Sequence, residues 1–221
     1  MALRDYLRRL TTAVLTSTLI LTSEFDPLQS WHLPPRNKQR NVYITAFGPW
    51  SHNNRNASED FAIYLSVLGY DTEVLPVDFE EAPKRLIQII EEKKPRTIIS
   101  LGEGAAFGNY FEVNVIAKNL MYGTDVAQQT YVGTIDSNLP NILPLPQNNL
   151  SELVSKFAHA GIRYNLSDDT GTYVCNVLLF RGLEATSDSS TRIYFFHVPR
   201  DIYSNKDKRH NLEMAIEALA H

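Results

Sequence analysis

The sequence contains one cysteine, and the residues around it suit a nucleophile. Gly171 lies between a short strand pattern and an apolar helical pattern, so Cys175 is expected in or near the first turn of a helix. Free N–H groups and the positive end of the helix dipole stabilise a thiolate and an oxyanion at such a place. A buried cysteine that acts as a small hydrophobic residue explains the position alone equally well.

His197 is the best candidate for a base. It ends the apolar run 193–196, directly before Val198 and Pro199. A cysteine with a histidine within hydrogen-bond reach forms the activated nucleophile of acyl transfer. The alternative is a histidine satisfied within the core. The other histidines lie in linker, loop, helix or tail settings and are weaker candidates.

Alternating strand and helix patterns are expected to position these two residues. We predict strands over residues 42–46, 72–76, 97–101, 110–117, 164–167 and 192–197, and helices over 59–68, 82–94, 149–160, 173–184 and 207–220. Residues 121–146 show no clear period and are interpreted as a loop or hairpin excursion. This order predicts an α/β fold with a mostly parallel sheet and helices on both faces. Sites in such sheets form beyond the carboxyl ends of strands, where residues 46–48, Gly102 and His197 would meet.

Composition excludes several functional classes. The chain has 221 residues and a formal net charge of -4, with no basic stripe that would bind nucleic acid. A single cysteine permits neither an intramolecular disulfide nor a zinc site that uses two or more cysteines.

The N-terminus differs from the rest of the chain. Arg4, Arg8 and Arg9 precede residues 10–22, which carry no charge. A basic start and a short apolar run are typical of a secretory signal, here residues 1–23. The alternative is an amphipathic helix that packs on the domain or a partner. Residues 24–40 are predicted to be a linker, and residues 41–221 the α/β domain. A cleaved signal would place the protein in the periplasm or outside the cell; otherwise it would be cytoplasmic.

Several motifs resemble those of the pyroglutamyl peptidase (pyrrolidone-carboxylate peptidase) family. Residues 171–176 (GTYVCN) resemble its cysteine motif, residues 196–199 (FHVP) its histidine motif, and residues 45–50 (TAFGPW) its opening loop. Weaker similarities lie at residues 56–58, 101–102, 117–119 and 160–162. The resemblance covers the chain from about residue 41 to about residue 203.

The resemblance implies a three-layer α/β/α sandwich and a cysteine peptidase that removes an N-terminal pyroglutamyl residue through a thioester. Its partners would be peptides with a blocked N-terminus, and its Cys-His-Glu triad would need no metal or cofactor. Positions that match the family's substrate-binding motifs are Phe47, Gly48, Trp50, Gly102 and Val174. Core packing is an equally good interpretation of Trp50. The sequence leaves open whether the chain forms a homo-oligomer.

The sequence departs from the family pattern at the triad acid. Counting back from residues 117–119 places Asn114 where the family has glutamate, and Glu112 lies two residues earlier on the same face of a strand. Glu112 could serve after a register change, Asn114 could orient His197 by itself, or the triad could be broken. Residues 104–108 also lack the family's arginine. The alternative function is therefore an impaired descendant that binds capped peptides or acts as an envelope interaction protein.

Overall fold

The computed structural model describes residues 41–50, 54–104 and 110–221. The predicted signal segment and linker, residues 1–40, lie outside the described residues. The strands are β1 (Val42–Phe47), β2 (Asp71–Leu75), β3 (Thr97–Glu103), β4 (Phe111–Asn114), β5 (Ile116–Lys118), β6 (Met121–Thr124), β7 (Thr130–Gly133), β8 (Ile142–Pro144), β9 (Tyr164–Ser167) and β10 (Arg192–Val198). The helices are α1 (Ala57–Val67), α2 (Glu81–Lys93), α3 (Gln147–His159), α4 (Val174–Ala185) and α5 (Lys206–Ala220).

Six of these strands form one mixed sheet in the order β2-β1-β3-β10-β4-β9. All neighbours are parallel except β10 and β4, which are antiparallel. The predicted α/β class with a mostly parallel sheet is confirmed. β3 and β10 lie at the centre, and their residues are almost entirely buried because helices cover both faces.

Helices cover the two faces of the sheet, and the side chains of β10 show which helices share a face. Ile193 approaches Gly182 of α4, and α4 packs on α2. On the opposite face, the Phe196 ring lies 6.3 Å from that of Phe157 in α3, and α3 packs on α5. Alternate residues of a strand point to opposite faces. His197 and Phe195 therefore share the face that carries α4.

The start of α1 illustrates how the sequence sets a helix boundary. Asn56 has an extended backbone, and its side-chain oxygen accepts a hydrogen bond from the Ser58 N–H. This is the N-cap arrangement that favours asparagine at the start of a helix. Asn56 also donates through Nδ2 to the Gly48 carbonyl at 2.9 Å, so the cap ties α1 to the loop after β1.

The structure differs from the predicted strand over residues 110–117, which is divided into β4 and β5. Val115 lies between them: its N–H donates to the Ser167 carbonyl, and its own carbonyl accepts from the Leu145 N–H. The chain therefore leaves the main sheet at Val115 and pairs instead with β8. Residues 121–146 contain the hairpin of β6 and β7, in line with the predicted excursion.

Among the described residues, no helix combines the length and apolar character that crossing a membrane requires.

Candidate active site

A cavity of about 180 Å³ opens at the carboxyl ends of β1, β3 and β10. Its walls are mostly apolar, and Cys175 and His197 both contribute to them. The complete lining is Phe47, Trp50, Asn56, Val77, Glu103, Thr170, Tyr173, Val174, Cys175 and His197. The structure thus brings the predicted nucleophile and base to one cavity, at the edge of the sheet where parallel strands were expected to place them.

Cys175 is the second residue of α4, within the first helical turn where the sequence pattern predicted it. In this first turn the N–H groups of Asn176 and Val177 donate to the Tyr173 carbonyl, which leaves those of Val174 and Cys175 without a carbonyl partner in the helix. The next residue, Asn176, is fully buried and fixes this turn. Its side chain accepts from the Lys118 N–H and donates to the carbonyls of Lys118 and Leu120, at 2.7 to 2.8 Å. The nucleophile helix is therefore held to β5.

Two glycines of β3 and the loop after it leave the space that Cys175 and His197 occupy. Gly102 pairs in register with His197, and a Cβ added at Gly102 would lie 3.0 Å from the Cys175 sulfur. A Cβ at Gly104 would lie 2.9 Å from the His197 Cβ. Both side chains line the cavity, and among the described residues neither the thiol nor the imidazole has a hydrogen-bonded side-chain partner.

Burial shifts the pKa of each group in the direction that favours its uncharged form. Desolvation raises the pKa of the Cys175 thiol to about 12, against a smaller lowering by its own backbone N–H. Desolvation lowers the pKa of His197 to about 4, although the negative charge of Asp169 acts in the opposite direction. At neutral pH the site therefore holds a thiol and a neutral imidazole, because each charged form would be poorly solvated.

Both predicted candidates for the triad acid lie on β4, next to the strand that carries His197. Glu112 is directly opposite His197, and Asn114 is opposite Phe195. Residues opposite one another in an antiparallel pair share a face, so both side chains lie on the side of α4. Neither forms a hydrogen bond with His197. The Asn114 Nδ2 instead donates to the Asp169 carbonyl at 3.3 Å, and its Oδ1 is buried without a partner among the described residues.

The predicted substrate-binding residues divide into two groups. Phe47, Trp50 and Val174 line the cavity. Gly102 lies behind Cys175 as described above, and Gly48 is engaged through its backbone, donating to the Leu75 carbonyl at 2.9 Å. The glycines therefore shape the cavity, while the side chains form its walls.

Glu103 and Tyr173 also line the cavity but were not predicted as site residues. Glu103 accepts from the Ala57 N–H at the start of α1 and from Arg200, both at 2.8 Å, and only 8% of its side chain is exposed. Its position directly after the strand-end Gly102 could have indicated it. Tyr173 packs edge-on against Phe79, with ring centroids 5.2 Å apart. Its ring contacts come from distant segments, but its place in the cysteine motif at residues 171–176 could have indicated it.

Within the described ranges, no group of three or more His, Cys, Asp or Glu side chains could hold a metal ion. The cavity lining offers the thiol of Cys175, the imidazole of His197 and the carboxylate of Glu103.

Residues 40–220 match the family model described as "Pyroglutamyl peptidase". Among curated proteins, the pyrrolidone-carboxylate peptidase of Oceanobacillus iheyensis is 29% identical over 202 residues, covering 81% of this chain and 99% of that protein. The pyrrolidone-carboxylate peptidase of Thermococcus litoralis is 28% identical, covering 72% and 76% respectively.

Solved structures show the same fold. Pyroglutamyl peptidase I of Bacillus amyloliquefaciens superposes with a TM-score of 0.68 at 22% identity, covering 81% of this chain and 94% of that one. Pyrrolidone carboxyl peptidase of Thermococcus litoralis gives a TM-score of 0.65 at 26% identity, covering 81% and 89%.

Proposed function

The chain belongs to the pyroglutamyl peptidase family of cysteine peptidases, and from that premise we propose that it removes an N-terminal pyroglutamyl, or a similar cap, from peptides. The observation that carries this proposal is the shared cavity: Cys175 at the start of α4 and His197 at the end of β10 line the same apolar pocket.

The chemistry would proceed in two steps. The Cys175 sulfur attacks the carbonyl carbon that joins the cap to the peptide, while His197 takes the thiol proton. The carbon–nitrogen bond then breaks, and His197 gives that proton to the leaving amine. In the second step His197 takes a proton from water, the resulting hydroxide attacks the thioester, and Cys175 leaves with the proton. N–H groups in the first turn of α4 would stabilise the oxyanion of each step.

The pKa values favour a mechanism in which the proton moves from Cys175 to His197 during the attack. They disfavour a thiolate–imidazolium ion pair before the substrate binds. With a pKa of about 4, His197 is neutral at pH 7 and can accept a proton. With a pKa of about 12, Cys175 keeps its proton until the substrate is in place. Both charges then form only within the cavity, where its dipoles are already oriented.

The shape of the cavity suits a small, flat and uncharged cap. Phe47 and Trp50 form apolar walls, and the Trp50 ring lies 6.4 Å from the Tyr173 ring. A lactam ring offers one N–H and one C=O besides its apolar faces. Glu103 and Asn56 add polar groups to the lining; Glu103 is bound to the Ala57 N–H and Arg200, and Asn56 is bound to Ser58 and the Gly48 carbonyl.

The decisive experiment is release of a fluorescent amine from a pyroglutamyl conjugate by the purified protein, with Cys175→Ala and His197→Gln as variants. Turnover is expected in the wild type, with loss to background in Cys175→Ala. A prolyl conjugate of the same amine is the matched control, since its ring lacks the lactam carbonyl. A folded wild-type protein that releases no amine from either conjugate would overturn the proposal.

A non-catalytic binding protein is the second candidate. Asn114 occupies the position of the family's glutamate, and no carboxylate forms a hydrogen bond with His197 in the described part of the chain. Such a descendant would bind a pyroglutamyl peptide without cleaving it. Calorimetry with a pyroglutamyl dipeptide distinguishes the two, since a peptidase would convert the ligand and a binding protein would not.

We also propose export to the periplasm or the cell exterior. The support is the basic start at Arg4, Arg8 and Arg9 and the uncharged residues 10–22 that follow.

A further inference from the structure

The ion pair of Glu103 and Arg200 joins the cavity to the protein surface beside it. We propose that Arg200 binds a carboxylate on the part of the peptide that leaves, so that the site prefers peptides with an acidic group directly after the cap. The inference rests on the proposed function, because it specifies the substrate class of that same site. Arg200 sets specificity and takes no part in breaking the bond.

Glu103 holds the guanidinium of Arg200 next to the cavity. The Glu103 side chain lines the cavity, and only 8% of it is exposed. Its Oε1 lies 2.8 Å from Arg200 Nε, and its Oε2 accepts from the Ala57 N–H, also at 2.8 Å. A buried carboxylate that is held at both oxygens is a fixed anchor, so it restricts where the guanidinium can lie.

The outer part of the Arg200 guanidinium is available to a ligand. The Arg200 side chain is 62% exposed, and the described residues offer no hydrogen-bond partner to its two Nη groups. The adjacent carboxylate of Asp201 is engaged elsewhere, since both of its oxygens lie 2.8 Å from Lys208 Nζ. Arginine presents its N–H groups as a planar fork that matches the two oxygens of a carboxylate. Arg200 is therefore suited to an anion of that shape.

The leaving peptide starts close to Arg200. His197 must lie within hydrogen-bond reach of the leaving amine in order to give it a proton. Arg200 follows His197 by three residues, which span at most about 11 Å when fully extended. This stretch is held against β3, because Val198 pairs in register with Glu103 and its carbonyl accepts from the Gly104 N–H at 3.0 Å. A carboxylate on the first residue after the cap would thus lie within reach of the guanidinium.

A peptide can supply this carboxylate from two sources. A capped dipeptide carries its α-carboxylate on the first residue after the cap. A longer peptide carries a side-chain carboxylate there when that residue is aspartate or glutamate. Both groups have the same charge and shape, so the experiment treats them as separate arms.

The test compares two pairs of peptides, each differing in one carboxylate. Pyroglutamyl-alanine and its amide differ in the α-carboxylate, and the α-amides of pyroglutamyl-glutamate and pyroglutamyl-glutamine differ in the side-chain carboxylate. The ratio of kcat/KM, acidic over neutral, is measured within each pair. We expect a ratio of about 5 in at least one pair, which Arg200→Gln reduces to about 1, because stronger solvent-exposed ion pairs contribute about that factor. The pair that responds identifies the source.

Two variants separate a specific contact from a general effect of charge. Arg200→Lys keeps the charge but loses the planar fork, so the ratio should fall only in part. Arg55→Gln is the matched control, since Arg55 directly precedes the cavity-lining Asn56 but pairs with Asp60 and is 73% exposed. It removes the same charge and should leave both ratios unchanged.

Binding is measured without turnover by calorimetry of the same four peptides with Cys175→Ala, alone and combined with Arg200→Gln. If the wild type cleaves none of the peptides but the acidic ones bind more tightly through Arg200, the carboxylate contact is retained and the peptidase is rejected. Ratios near 1 in the wild type, or ratios that Arg200→Gln leaves unchanged, would overturn the inference even if all four peptides are cleaved. A folded protein that neither binds nor cleaves any of the four would overturn both proposals.

Discussion

Gly102 pairs with His197 across β3 and β10, and its missing side chain leaves the space that the Cys175 sulfur occupies. A Cβ there would lie 3.0 Å from the sulfur and 2.9 Å from Cζ of Phe195. The glycine therefore lets the nucleophile approach the strand beside its base. This close approach is a packing requirement of the site.

Replacing Gly102 by alanine should impair catalysis strongly. The added methyl group would displace the sulfur or the Phe195 ring, and a displacement of about 1 Å at a reacting group can cost on the order of 10²-fold in rate. We expect kcat/KM for the pyroglutamyl conjugate to fall by about that factor.

Gly182→Ala is the matched control for this variant. Its Cβ would collide with Ile193 in the core between α4 and the sheet, away from the cavity. Overpacking of that kind costs about 1–3 kcal/mol of stability. Gly182→Ala should therefore lower Tm while the folded fraction keeps its kcat. Equal loss of kcat in both variants would contradict a specific role for Gly102.

The stability of the protein should depend on pH through His197. Its pKa is about 4 in the folded protein, below the ordinary 6.5, so between these values the unfolded chain binds a proton that the folded chain does not. The free energy of unfolding should thus fall as pH falls through this window, by up to about 3 kcal/mol. Urea titrations at pH 7, 5.5 and 4 measure the effect.

His197→Gln should flatten this pH dependence, because the neutral amide has no proton to gain. His210 is the control, since 72% of its side chain is exposed. His210→Gln should keep the wild-type slope. A His197→Gln variant that loses stability towards pH 4 as steeply as the wild type would show that His197 is not the group responsible.

The sequence was sufficient to predict the mixed α/β sheet and to predict that Cys175 and His197 lie at one edge of it. Both predictions follow from local signals, since strand and helix periods are visible in the sequence and the edge is set by strand direction. The catalytic roles of Cys175 and His197 stay predictions, as do those of Glu112 and Asn114. Their shared cavity is what the structure adds.

The sequence could not predict contacts that depend on tertiary packing. The bond from Asn114 to the Asp169 carbonyl joins residues 55 positions apart, and no local pattern indicates it. The pairing of Glu103 with Arg200 arises only because β3 and β10 are neighbours. The division of the strand at Val115 was missed because its alternating pattern continues across the break.

Asn176 should matter for both stability and activity. Asn176→Ala would leave the N–H of Lys118 and the carbonyls of Lys118 and Leu120 without the fully buried amide that pairs with them. Unsatisfied buried groups cost about 1–3 kcal/mol each, so the variant should be clearly destabilised. Because α4 is then released from β5, kcat should fall as well. Thermal melts would measure the loss of stability, and kinetics at 15 °C would measure the loss of kcat.

Asn165→Ala is the control for Asn176→Ala, because Asn165 lies exposed on the edge strand β9. Its replacement should change the free energy of unfolding by less than about 0.5 kcal/mol. If Asn176→Ala were as stable as this control, the amide would not be what fixes the nucleophile helix.

The N-terminal segment should be removed if it acts as an export signal. In a bacterial host with a periplasm, mass spectrometry of the intact protein should show a mature chain that begins near Glu24, recovered from the periplasmic fraction. Leu15→Arg places a charge in the uncharged run and should block both processing and export, because the apolar run is what the export machinery binds. Leu15→Ile keeps the run apolar and should behave as the wild type. Soluble cytosolic protein that retains Met1 in the wild type would contradict export and favour a packed N-terminal helix.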